Sequence, residues 1–274
     1  MEFETDHLPV MPDVARQIFD TFTDEWITVP QLCEIVNQDP AISARLLGVA
    51  NSAYFAAVGP VETLETAVSQ VLGLELARGI AVGMTCSSMA QFDQCAHFDA
   101  NRFWVSAITV SQAAMKVSPA ASEPKAALFG LLWNIGLLAY AATYPQQCDE
   151  LLTAEEGASL AKRFHATTGE SINGVGRQLC EAWELPDFIV DAHRDLERLD
   201  KFQLSALEDV AVPQNELAAS VWLVRASYRY GSDKVLQTAK ARHALSAFMS
   251  EEQFAEMDLQ AMRQDYQHSL RMTH

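Results

Sequence analysis

The chain has 274 residues, 49% of them hydrophobic, with only 12 glycines and 10 prolines. That content excludes a disordered chain, and the length allows one large domain or two modest ones. A net charge of −17 and a pI near 4.7 argue against a duplex nucleic-acid binder and against docking on an anionic membrane, since both need clustered Lys and Arg.

The charge itself reads as solubility, or as a preference for a partner with a basic surface. Five cysteines, Cys33, Cys86, Cys95, Cys148 and Cys180, show no CxxC spacing. The odd count, with no signal-peptide pattern, points to buried free thiols in a reducing cytoplasm rather than to zinc or disulfides. Sparse breakers among abundant Ala, Leu, Glu and Gln favour helix throughout.

Residues 1–7 are polar. Pro12 opens a helix to about Thr23, with Val14, Ile18, Phe19 and Phe22 on its apolar side. Thr28 caps a second helix near 29–37. Asp39-Pro40 is a clean start for a third, with the carboxylate at the N-cap and proline in the first turn. Asn51-Ser52 lies at its end and Gly59-Pro60 makes a turn. A short helix over 64–72 stops at Gly73, and a longer one covers 74–90.

A helix over 100–117 follows a charged and aromatic connection, and 118–124 is a loop. The run AALFGLLWNIGLLAYAA, residues 126–142, is the longest uncharged apolar stretch. It is read as a core helix over 125–143 rather than a membrane span, being short for a bilayer and carrying Asn134 at its centre. Further helices are expected at 146–153, from Glu155 to His165, over 168–183 behind a Thr167/Glu170 capping box, and at 187–195. The polar segment 196–203 marks a boundary. Helical patterns at 204–230, 233–247 and 251–270 complete the chain. No stretch alternates as a strand does, so the fold class is all-α.

Two stretches carry a family pattern. DPAISARLLGVANSAYF at 39–55 and LETAVSQVLGLELARGIAV at 64–82 place Asp39, Pro40, Arg45, Leu46, Leu47, Asn51, Ser52, Leu72 and Gly73 where the HDOD family, the HD-related output domain, has its signature. Phe103-Trp104, Gly130, Ile135-Gly136, Val175-Gly176 and Trp183-Glu184-Leu185-Pro186 fit the same family. The chain resembles HDOD proteins over about 8–200, split as 8–95 and 100–200. Residues 201–274 form a C-terminal helical extension with no recognised pattern.

The resemblance implies a multi-helix bundle related to the HD phosphohydrolases, which hold metal with His and Asp from several helices to activate a water. At the adjacent His-Asp position this chain has Trp133-Asn134. Indole offers no lone pair, and an amide oxygen carries no charge. Ser106 and Ile172 stand where two further histidines are common. Leu196-Glu197 replace a His-His pair on an ungapped count, with His193 one turn earlier. A transition metal wants three or more imidazole or carboxylate ligands, so no metal and no other cofactor is expected.

The plainer readings are a core tryptophan at 133 with its N–H bonded, a buried Asn134 bonded to backbone, and a partly exposed surface histidine at 193. The sharper one makes Trp133, Asn134 and His193 pocket or ligand contacts. Arg45 is expected to pair with an acid. Asn51 and Ser52 are expected to cap a helix end or fix the 53–62 loop.

The function implied is a non-catalytic regulatory module of bacterial-type signalling. It would work by contact with a separate signalling protein or by sensing a ligand, because no receiver, GGDEF or EAL module is present. A residual phosphohydrolase and a nucleotide receptor without cleavage stand as alternatives. Homodimerisation through 201–274 is left open.

Overall fold

The computed structural model describes residues 8–22, 26–51, 55, 59–87, 95–118, 122–153, 160–200 and 215–230. Ser52 and the helices expected at 233–247 and 251–270 lie outside them. The described residues are helical with no strand, as the all-α reading requires. They divide into two compact units, residues 10–87 in one and residues 8–9 and 95–230 in the other.

The smaller unit begins with α1 (Asp13–Asp20), α2 (Val29–Val36) and α3 (Pro40–Ala50). Gln31 Oε1 accepts from the Thr28 amide at 2.9 Å, which closes the start of α2. Asp39 Oδ1 accepts from the amides of Ala41 and Ile42 at 2.8 and 3.3 Å, two donors that a helix start leaves without partners. Asn51 ends α3 and ties the following loop to it. Its side-chain amide donates to the carbonyls of Leu47 and Val61, and its oxygen accepts from the Val61 amide at 2.8 Å.

α4 (Leu64–Thr66) passes into a π-helical segment, Ala67–Leu72, and α5 (Leu74–Ser87) follows Gly73. The sequence pattern anticipates an ordinary short helix there. A wider turn keeps Leu64, Ala67, Val68 and Leu72 all buried. The core is Ile18, Phe19, Leu32, Val36, Leu46 and Ile80 with these residues. Arg78 of α5 is buried within it. Its guanidinium donates to the Thr21 carbonyl at 2.6 Å, pairs with Glu75, and lies 4.4 Å from the centre of the Phe22 ring. Arg78 therefore fastens the end of α1 to α5. Arg45, by contrast, is exposed and makes no ion pair with another described residue, so the acid partner expected for it is not among them.

The larger unit holds α6 (Ala100–Val117), α7 (Glu123–Leu132), α8 (Ile135–Thr143), α9 (Pro145–Thr153), α10 (Leu160–Thr168), α11 (Ile172–Ala182), α12 (Asp187–Asp200) and α13 (Glu216–Tyr230). The apolar run expected as one helix over 125–143 is two, broken at Trp133-Asn134. Lys125–Thr143 is long and apolar enough to cross a bilayer, but 78% of it is buried inside the fold. It is apolar all round because both halves have neighbours: α6 and α13 on α7, and α9 and α11 on α8.

Two other boundaries differ from the sequence pattern. α11 is capped by Ser171, whose hydroxyl accepts from the Gly174 amide at 2.8 Å, and not by Thr167. Thr167 still belongs to α10, which ends at the left-handed Gly169 (φ 76°). α12 runs through the polar 196–200 stretch because Leu196 and Leu199 keep the buried face going, with the charges outside. α13, from the segment read as a C-terminal extension, packs on α6, α7 and α12 of this same unit.

Two glycines set the closest approaches between helices. A Cβ at Gly130 would lie 2.5 Å from Ser111 Cα on α6. A Cβ at Gly136 would lie 1.9 Å from the Ile172 carbonyl oxygen and 2.6 Å from the Gly176 nitrogen on α11. In each case the obstacle is backbone, which cannot swing away as a flexible side chain can. Gly136→Ala is therefore expected to cost roughly 3 kcal/mol or more in urea unfolding. Gly48 of α3 is the control, since a Cβ added there would meet nothing within 4 Å. Gly48→Ala should stabilise by about 0.5–1 kcal/mol.

A second strained point closes α11. Glu184 has φ 56°, a left-handed value that costs a side-chain-bearing residue roughly 1–2 kcal/mol. It is held by a six-to-one bond from the Leu185 amide to the Cys180 carbonyl at 3.0 Å. Glu184→Gly should raise stability by roughly 0.5–1 kcal/mol while Glu184→Ala does not, read from denaturant midpoints.

Candidate functional site

The sequence singles out Ser106, Trp133, Asn134, Ile172 and His193. Trp133 and Asn134 form the turn between α7 and α8, both half-buried. Asn134 is the N-cap residue of α8, but its side chain makes no capping bond; its carbonyl accepts from the Leu137 amide. Ile172 is the first residue of α11, and its carbonyl presses on Gly136. His193 of α12 closes the group. A Cβ on Gly176 would lie 3.0 Å from its ring, and Phe129 of α7 meets it edge-on with centroids 5.1 Å apart. Thus α7, α8, α11 and α12 meet around Phe129, Gly136, Gly176 and His193. Ser106 is exposed on α6 and is not one of the residues brought together there.

His193 is 0% exposed, not the partly exposed surface histidine of the plainer reading. Its ring lies in the space that the missing Cβ of Gly176 leaves open. Neither ring nitrogen has a hydrogen-bond partner. Burial lowers its pKa to about 3, and the charge of Arg177 adds to the effect. It is a neutral, packed imidazole.

The indole N–H of Trp133 is also buried without a partner, so the bonded N–H expected for it is not found. What the tryptophan does meet is Arg225 of α13, whose guanidinium lies 4.1 Å from the ring centre. Sequence reading missed this residue. A lone arginine within the apolar run AASVWLVRAS was the available signal, since a charge on a buried helix implies a partner.

A divalent metal does not fit these side chains. Trp133 and Ile172 have no donor atom, Asn134 has only a neutral oxygen, and His193 is influenced by a cation, Arg177, instead of a carboxylate. Among the described residues no three His, Cys, Asp or Glu side chains gather as a metal site would require. Cys33, Cys95 and Cys148 are free thiols, and all three are buried, as is Cys180. Cys95 and Cys148 share a hydrogen bond, and burial pushes both thiols up, away from reactive thiolate.

One more contact bears on the family pattern. Trp183, in the Trp-Glu-Leu-Pro turn, is buried and donates its indole N–H to the Pro9 carbonyl at 2.7 Å, holding the entry segment of the chain.

The HDOD domain model matches residues 8–198. The chain belongs to the HDOD family. Solved structures agree on this fold. A candidate signal transduction protein from Marinobacter aquaeolei VT8 superposes with a TM-score of 0.73 at 24% identity, over 97% of this chain and 59% of that one. This chain thus spans little more than half of that protein. An HDOD domain protein from Geobacter sulfurreducens gives 0.69 at 19% identity, over 96% and 92%. A candidate phosphohydrolase from Shewanella amazonensis SB2B gives 0.66 at 22%, over 97% and 96%. No curated protein matches the chain in sequence.

The buried imidazole makes this HDOD core acid-sensitive. The folded pKa of His193 lies below its unfolded value of 6.5, so the unfolded chain takes up a proton the folded one refuses. Its stabilising contribution is full above about pH 6.5 and is lost as pH falls toward 3, by up to about 1.4 kcal/mol per pH unit. Denaturant melts between pH 7 and 4 should show this slope in the wild type, and His193→Leu should flatten it.

Proposed function

We propose that this HDOD protein is a non-catalytic regulatory module of cytoplasmic signal transduction, acting by contact with a protein partner. What supports the reading is the side chains at the positions the family resemblance assigns to metal ligands, Trp133, Asn134, Ile172 and Ser106, none of which is a His or a carboxylate. The packing supports it. Gly136 and Gly176 bring α8 and α11 into backbone contact, and His193 is fully buried against Gly176. Two guanidinium groups, Arg177 and Arg225, supply positive charge near the residues a metal would need.

The second reading, a nucleotide receptor without cleavage, gains support from the Arg225–Trp133 stack. It joins the cation a phosphate wants to the aromatic plate a base wants.

Purified protein supplied with Mn, Mg or Zn should not hydrolyse bis-p-nitrophenyl phosphate or cyclic dinucleotides, and elemental analysis should find no stoichiometric transition metal. Metal-dependent turnover that His193→Leu abolishes would overturn the proposal. Calorimetry with cyclic dinucleotides and (p)ppGpp decides the second reading: binding that Arg225→Ala removes supports it, and flat titrations reject it.

A further inference from the structure

Two side-chain pairs hold the segment that leads into α6 onto α9. Cys95 bonds to Cys148, and His97 bonds to Asp149, so neighbours on one element meet neighbours on the other. The outer pair is a polar clasp at the surface. Asp149 Oδ1 accepts from the His97 amide at 2.8 Å, and Nδ1 of the His97 ring lies 3.0 and 3.1 Å from the two carboxylate oxygens. Both side chains reach solvent, exposed by 59% and 27%. The inner pair is dry, with Cys95 1% and Cys148 0% exposed.

The backbone on both sides of the thiol pair is fixed. The Cys95 carbonyl accepts from the Phe98 amide at 3.0 Å, and the Cys148 amide donates to the Tyr144 carbonyl at 2.9 Å. Two reacting groups held together in this way need no encounter step, which favours bond formation between them over reaction elsewhere. The surroundings also give the two sulfurs different roles. The Cys148 S–H and the Phe98 N–H both donate to the Cys95 sulfur, so a negative charge there is met by two donors. Cys148, as the donor, keeps its proton. Cys95 is therefore the attacking sulfur and Cys148 the resolving one.

We propose that Cys95 and Cys148 form a disulfide in response to hydrogen peroxide, which locks the entry of α6 to α9. The Cys95 thiolate attacks one peroxide oxygen and the O–O bond breaks. The other oxygen leaves as hydroxide and takes up the proton that Cys95 lost, giving one water and a sulfenic acid on Cys95. The Cys148 sulfur then displaces hydroxide from that sulfenic acid, and its own proton leaves with it as a second water. Two thiols and one peroxide give one disulfide and two waters; the sulfurs are oxidised and the peroxide oxygens reduced. Burial and the Asp149 carboxylate keep both thiols protonated near neutral pH, so the reaction is slow. The clasp thus answers sustained oxidant and ignores a brief pulse.

The test uses the full chain, reduced, freed of reductant and incubated with hydrogen peroxide. It is then unfolded, alkylated and mapped by mass spectrometry. Alkylation of Cys95 and Cys148 should fall about tenfold, with the two recovered as one cross-linked peptide pair lighter by two hydrogen atoms. Cys33, Cys86 and Cys180 should still alkylate, and dithiothreitol should restore the lost pair. The melting midpoint should rise by several degrees on oxidation of the wild type, and should not rise in Cys95→Ser or Cys148→Ser. Dimedone, which traps sulfenic acid, should label Cys95 in Cys148→Ser about tenfold faster than Cys148 in Cys95→Ser. Five thiols still reactive after prolonged peroxide, a cross-link between another pair or between two copies, a melting midpoint that does not rise, or the reverse order of dimedone labelling would each overturn the proposal. Should a serine variant fail to fold, the wild-type cross-link and melt decide it alone.

Discussion

The larger unit depends on backbone meeting backbone at two glycines. At Gly130 the α7 chain lies against Ser111 of α6, and Ser111 Oγ adds a bond to the Ala127 carbonyl at 2.7 Å. At Gly136 the α8 chain lies against Ile172 and Gly176 of α11. Any side chain at either point would push the helices apart. This is why one apolar run must be two helices. A straight helix would carry both glycines along one axis, whereas the break at Trp133-Asn134 lets each half find its own neighbour. The Trp133-Asn134 pair is the joint between α7 and α8.

That joint explains how buried polarity is managed. Arg225 covers the face of Trp133 with a delocalised cation, a contact that tolerates partial dehydration better than an ammonium would. Arg78 lies likewise over Phe22 in the smaller unit, with a carbonyl and a carboxylate on its two terminal nitrogens and its Nε buried without a partner. His193 takes the other course and stays neutral, at the expense of two unpaired nitrogens. A lone unbonded polar group in a core costs about 1–3 kcal/mol, which the packing of Phe129 and Gly176 against it must offset.

Much of this was legible in the sequence because the signals were local. Asp39-Pro40 announces a helix start through chemistry confined to three residues, and Asn51 sits where an amide can reach both a helix end and the next loop. The family pattern, too, could be read directly from residues close together in the chain. What stayed hidden depends on partners distant in the chain. Nothing near Trp133 shows that α13, about ninety residues later, brings Arg225 onto it. The burial of His193 depends on Gly176 and Phe129 from two other helices. The break at 133–134 was hidden for a related reason: the run is apolar on every side, so periodicity gives no phase from which a turn could be read. The Thr167/Glu170 pair misled because it mimics a capping box, while Gly169 between them ends one helix and leaves Ser171 to begin the next.

The same features show how this bundle holds its shape through groups that are all part of the chain. Glycines let the backbones of α7 and α6, and of α8 and α11, touch. A neutral imidazole packs between Gly176 and Phe129, and a guanidinium from α13 covers the indole at the α7–α8 joint. Each contact joins elements far apart in sequence, so the loss of one helix would leave a cavity or an uncovered cation in another. The larger unit is therefore expected to unfold as a whole rather than helix by helix.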